Sequence, residues 1–86
     1  VLVEITLTGQ ADDILDAFEK AVARVPEVLE CHLMAGSADY LLKIAAMDTE
    51  DFARIHRRSL SGLPGVRGMQ SSFVLRTVRQ TTALPV

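Results

Sequence analysis

Tryptophan and asparagine are missing from this 86-residue chain, and tyrosine and cysteine each occur once. A lone thiol, Cys31, excludes a disulfide framework within the chain and suits a reducing, cytoplasmic compartment. No apolar run approaches the roughly 18–20 residues of a membrane span, and no signal peptide is visible, so no membrane partner is expected. A basic surplus is also lacking. Nine Lys and Arg stand against eleven Asp and Glu, a net charge of −2. Phosphate contacts need excess positive charge, so DNA binding by this chain alone is not expected. There is no glycine-rich phosphate loop and no metal motif. Cys31 and His32 are neighbours in a strand-like run and so point to opposite faces, whereas a metal needs three or four convergent ligands. No nucleophile has a base near it in sequence. The chain is read as a non-enzyme with no cofactor and no metal.

What is present is globular in character. Hydrophobic residues make up 49% and charged residues 23%, enough apolar content for one small domain. The charges are uneven: residues 1–43 hold three basic and eight acidic side chains, and residues 44–86 six and three. That split favours contact between the halves or between subunits. The sequence begins at Val1, inside a strand-like pattern, and is expected to be a piece of a longer protein.

The hydrophobic period changes along the chain. "VLVEITL" alternates, with Val1, Val3, Ile5 and Leu7 on one side, and Gly9 ends the strand. "ADDILDAFEKAVARV" repeats at helical spacing through Ile14, Phe18, Val22 and Val25, with acids early, bases late and Pro26 as the stop. "VLECHLMAG" and "YLLKIAAM" alternate again. "DTEDFARIHRRSL" is a second helix, with Asp48 as its N-cap, core positions at Phe52 and Ile55, and a stop near Gly62. Arg54, Arg57 and Arg58 on it read as a solvated face. "VRGMQSSFVLRTVRQ" is a long fourth strand. An internal echo supports the order: "RVPEV" and "GLPGV" each place a Pro two residues before a strand-opening Val, 38 positions apart. The order β-α-β-β-α-β predicts an α+β, ferredoxin-like sandwich: a four-stranded antiparallel sheet with both helices on one face.

The sheet's second face is then bare. Strand four places apolar Phe73, Val74 and Leu75 on both parities, and strand two puts Val28 and Met34 on its mixed face. An apolar face of several hundred Å² is unusual on a monomer, so a homodimer through the sheets is expected, with the tail "TTALPV" helping to cover the partner.

"VPEVLECHLMAGSADYLLKI" followed by "LPGVRGMQSSFVLRTVRQTTALPV" resembles the C-terminal effector-binding domain, or RAM domain, of the Lrp/AsnC (leucine-responsive, feast/famine) transcriptional regulators. The similarity runs through essentially all 86 residues. It implies the same fold, with homodimers that assemble further to tetramers or octamers. It implies a small-molecule effector, typically an amino acid, held where dimers meet. It also implies that DNA is bound only through an N-terminal helix-turn-helix domain, of which this chain shows no match. The Gly-x-x-Asp-Tyr turn and the middle of the last strand line the family's pocket. Carried onto this sequence, the ligand-binding positions are Gly36, Asp39, Tyr40, Ser71 and Ser72, with Met34 and Leu42 as apolar wall.

The turn has chemistry of its own. Gly36 can take positive φ and leaves N–H groups open to a carboxylate, and Asp39 can hold an ammonium group. A hairpin turn whose aspartate caps its own backbone accounts for the same residues. Two other functions share the strand and helix order. One is an ACT-like amino-acid-sensing module of a metabolic enzyme. The other is a small dimeric ferredoxin-like enzyme, which usually needs a His, Trp or Asn in its cleft.

Overall fold

The computed structural model describes residues 1–80, and each change of period in the sequence becomes a change of element. Strand β1 is Leu2–Leu7, helix α1 Asp12–Val22, strand β2 Val28–Leu33, strand β3 Tyr40–Ile44, helix α2 Thr49–Ile55, and strand β4 Val66–Ser72. Helix α2 continues as one π-helical turn, His56–Leu60. The Asp48 side chain caps α2 by accepting from the Asp51 N–H at 2.8 Å. Helix α1 opens on Asp12 and Asp13 and carries Lys20 in its last turn, the charge order that its dipole favours.

The four strands form one antiparallel sheet in the order β2-β3-β1-β4, the ferredoxin-like arrangement. Val3 pairs with Leu42, and Ile5 with Tyr40, so the buried parity of β1 meets the buried parity of β3. Phe18 and Val22 of α1, and Phe52 and Ile55 of α2, pack into the same core as Val3, Ile5, Leu7, Tyr40, Leu42 and Ile44. Both helices therefore cover one face. The Phe18 and Tyr40 rings lie 4.6 Å apart at its centre. Each large side chain removed from water there contributes about 1.5–3 kcal/mol.

The echoed motifs have a shared structural role. Val25 and Leu63 are buried just before Pro26 and Pro64, and Val28 and Val66 then open strands. Gly65 has φ 72°, and a Cβ there would lie 3.1 Å from the Ile14 side chain. Only glycine fits that turn without strain. Arg58 pairs with Glu27, which ties the basic half of the chain to the acidic half. Arg54 pairs with Asp51 at 2.7 Å on the solvated side of α2.

Two expectations are corrected. The fourth strand stops at Ser72, opposite Leu2, because beyond that pair β1 offers no further partner. The second face is also not an apolar sheet surface. A β-bulge between Val28 and Glu30 shifts the parity of β2, so Val28 pairs with Ile44 on the helix side. The bare face instead carries Glu4, Glu30, His32, Lys43 and Gln70, with Leu2, Leu41 and Thr6 half-buried among them. Glu30 contacts His32 at 2.9 Å and Lys43 at 3.5 Å. Met34 lies beyond the end of β2. Phe73, Val74 and Leu75 lie beyond the end of β4, where Leu75 is 97% exposed. Exposed apolar side chains lie on the segment after β4 and, within the sheet, at Leu29 and Leu33 of β2. The "TTALPV" tail is positions 81–86, outside the described residues.

Candidate functional site

The turn between β2 and β3 is closed by Met34 N–H donating to the Asp39 carbonyl at 2.9 Å. Gly36 sits at its tip, exposed, with φ 139°, a backbone state that side chains disfavour. Among the described residues, the N–H groups of residues 35–38 have no backbone acceptor. They remain available to an anion.

Asp39 is the polar side chain this turn buries, at 7% exposure. Its Oδ2 accepts from the Leu7 N–H at 2.7 Å, and its Oδ1 accepts from the Gln10 side-chain amide, also at 2.7 Å. Its own N–H donates to the Ile5 carbonyl at 2.9 Å. The carboxylate thus sits just before β3 begins, where β1 still offers a donor. The Leu7 N–H holds its carboxyl below the ordinary aspartate value, with Gln10 adding to the effect, burial opposing it, and the Arg67 charge helping. Asp39 is an ionised, oriented carboxylate, with one donor on each oxygen.

The next residue faces the other way. Tyr40 is 1% exposed, stacks on Phe18, and donates its hydroxyl to Glu19 of α1. Burial, then the bond to Glu19, pushes the phenol well above its ordinary value. One edge of Tyr40 reaches a cleft of about 360 Å³ between α1 and β2, lined also by Glu19, Val22, Ala23, Cys31 and Leu33. Burial and then the Glu19 charge raise the Cys31 thiol.

The structure therefore divides the residues predicted for one site. Met34, Gly36 and Asp39 lie together at the turn. Tyr40 turns into the core, and Leu42, fully buried opposite Val3, cannot serve as a ligand wall in this conformation. Ser71 pairs with Val3 and Ser72 with Leu2, at the far end of the sheet from Leu7 and Asp39. Both serines are exposed. Sequence reasoning missed Gln10, 29 residues from Asp39, because nothing local distinguishes a polar residue after a strand-ending glycine. Among the described residues, no group of three His, Cys, Asp or Glu is placed to hold a metal, and no helix is long and apolar enough to cross a membrane.

The comparisons agree with this architecture. The family profile described as the Lrp/AsnC ligand binding domain matches residues 1–84. An HTH-type transcriptional regulator of Sinorhizobium fredii is 46% identical over 78 residues, 91% of this chain and 61% of that protein. The leucine-responsive regulatory protein of Escherichia coli is 37% identical over all 86 residues, 52% of its own length. Among solved structures, a Neisseria meningitidis transcriptional regulator in complex with L-Met superposes with a TM-score of 0.82 at 34% identity, covering 98% of this chain and 54% of that one. An AsnC family regulator of Agrobacterium tumefaciens gives the same TM-score at 28% identity, over 98% of this chain and 54% of that one. The chain spans between half and two thirds of the length of these relatives. Three of these four are named as transcriptional regulators and the Escherichia coli protein as a leucine-responsive regulatory protein.

Proposed function

The chain belongs to the Lrp/AsnC ligand-binding-domain family, and on that premise we propose that its effector is a free amino acid bound at the 34–39 turn of an oligomer, within a longer DNA-binding regulator. The observation that carries this reading is the Asp39 carboxylate, ionised, oriented and set beside unpartnered turn N–H groups. Those groups complement the ammonium and carboxylate of an amino acid. The Neisseria relative's L-Met complex supports the ligand class. Met34 offers an adaptable apolar wall for the effector side chain. Ser71 and Ser72 enter the site from a second copy, and the exposed apolar segment after β4 is covered in the same assembly. The domain itself performs no catalysis. It senses and oligomerises, and DNA is read by a helix-turn-helix domain outside this sequence.

The test is a thermal melt of this chain with each of the twenty amino acids, L-methionine first. A ligand at one hundred times its Kd adds about 2.7 kcal/mol to native stability. One or a few amino acids are expected to raise the melting temperature clearly. A panel with no response at millimolar concentration removes the amino-acid reading.

A further inference from the structure

We infer that Gln10 is the resident occupant of the effector's ammonium position: its side-chain amide satisfies Asp39 in the empty domain and leaves when an amino acid binds. This rests on the reading that Asp39 receives the ammonium. The geometry is specific. Asp39 is buried, and Oδ2 is engaged by a main-chain donor, the Leu7 N–H, which stays in place while β1 is folded. Oδ1 is engaged by a side chain alone, Gln10, whose residue is exposed. Of the two donors to that carboxylate, the Gln10 amide is the one that can leave without disturbing the sheet.

Its departure needs no backbone change. Thr8 is pinned by its N–H to the Gly65 carbonyl at 2.8 Å, and the Ala11 carbonyl accepts from Ile14 and Leu15 at the start of α1. Between those anchors Gln10 can leave by side-chain rotation into water, regaining rotamer freedom. A neutral amide is a suitable occupant. It prevents the buried carboxylate from going unsatisfied, yet an ammonium makes a charge-assisted bond roughly twice as strong. A neutral donor, such as the hydroxyl of a 2-hydroxy acid, has no such advantage over Gln10. Gln10 therefore sets the threshold that an effector must exceed, scaling every apparent affinity down to the fraction of time it leaves the carboxylate free.

The experiment uses this chain, wild type and Gln10→Ala, titrated with L-methionine by calorimetry, or with the strongest responder of the twenty if another amino acid exceeds it. Gln10→Ala is expected to bind about two- to tenfold tighter, the reciprocal of one net hydrogen bond. In wild-type NMR spectra the Gln10 side-chain NH₂ signals are expected to move to the positions of a free glutamine on saturation. Unchanged or weaker affinity in Gln10→Ala, or Gln10 signals that stay in place while ligand binds, overturns the inference. Asp39→Asn separates the two levels, since asparagine can still accept from Leu7 and still bond to Gln10. If Asp39→Asn binds the amino acid as wild type does, Asp39 is not the ammonium site, and both readings fall. If it loses binding while Gln10→Ala binds no tighter than wild type, Asp39 keeps the ammonium and only the role of Gln10 falls. A chain that binds none of the twenty overturns both.

Discussion

Replacing Tyr40 with phenylalanine separates a core pillar from a ligand contact. The ring is buried against Phe18 and the hydroxyl has one partner, Glu19. Tyr40→Phe keeps the ring and its packing and deletes only the hydrogen bond. A bond to a charged group contributes about 1.5–3 kcal/mol when enclosed, and Glu19 is solvent-accessible, so the expected cost is about 1 kcal/mol. For a domain of this size that is a fall of about 4–8 °C in melting temperature. Tyr40→Ala, which also empties the centre of the core, is expected to cost about 3–5 kcal/mol. The pH dependence adds an independent signature. The folded phenol is held above its ordinary value of 10.0, so the folded state favours the protonated form. Its stabilisation is complete below that value and is lost as pH rises towards the higher folded value, because only the unfolded chain has released the proton. Tyr40→Phe lacks that alkaline loss. This is the sole tyrosine and there is no tryptophan, so tyrosinate absorbance reports it directly. Ionisation of the folded protein near the ordinary value refutes the buried placement. A variant of unchanged stability that no longer responds to any amino acid refutes the assignment to the core and returns Tyr40 to the ligand.

Gly65→Ala is expected to lose about 1–2 kcal/mol in denaturant unfolding, since alanine must hold a left-handed φ of 72° with its Cβ against Ile14. The carboxyl of Asp39 is held below its ordinary value of 3.8, so its stabilisation is present above that value and is lost as pH falls through the lower folded one; an acid titration of Asp39→Asn should lack this component. Light scattering at micromolar concentration should show at least a dimer, and a clean monomer contradicts the oligomeric site. Duplex DNA should not be retarded by this chain alone at physiological salt, and salt-sensitive retardation contradicts the assignment of DNA binding to another domain.

Hydrophobic period made the element order legible, because strands and helices bury every second or every third and fourth residue. Asp48 was legible as a cap because its partner, Asp51, is three residues away. What escaped depends on tertiary pairing. A single bulge at Val28–Glu30 moved Val28 to the helix side and left charged residues on the bare face. Strict alternation cannot reveal an inserted residue. The end of β4 is set by where β1 begins, 70 residues earlier at Leu2↔Ser72. At the site, the Gly36 turn and the importance of Asp39 were readable from residue type. The partners that orient Asp39 were not, since Leu7 and Gln10 lie 32 and 29 residues away.

The division of the predicted site is itself informative about assembly. Asp39 binds at the Leu7 end of β1, whereas Ser71 and Ser72 pair with Val3 and Leu2 at the other. Four or five strand residues separate the two ends, a distance of about 13–17 Å at the strand rise. The ammonium and carboxylate of an amino acid are attached to one carbon, so no single amino acid can engage both ends within one copy. A site that uses the turn and the serines together must draw them from different copies, with the second sheet running so that its β4 end meets the first chain's turn. A site confined to one copy must instead place the effector carboxylate on the N–H groups of residues 35–38. Ser71→Ala with Ser72→Ala distinguishes the two arrangements. Weakened amino-acid binding with an unchanged monomer fold supports the shared site. Unchanged affinity assigns the whole recognition of the amino-acid backbone to the turn.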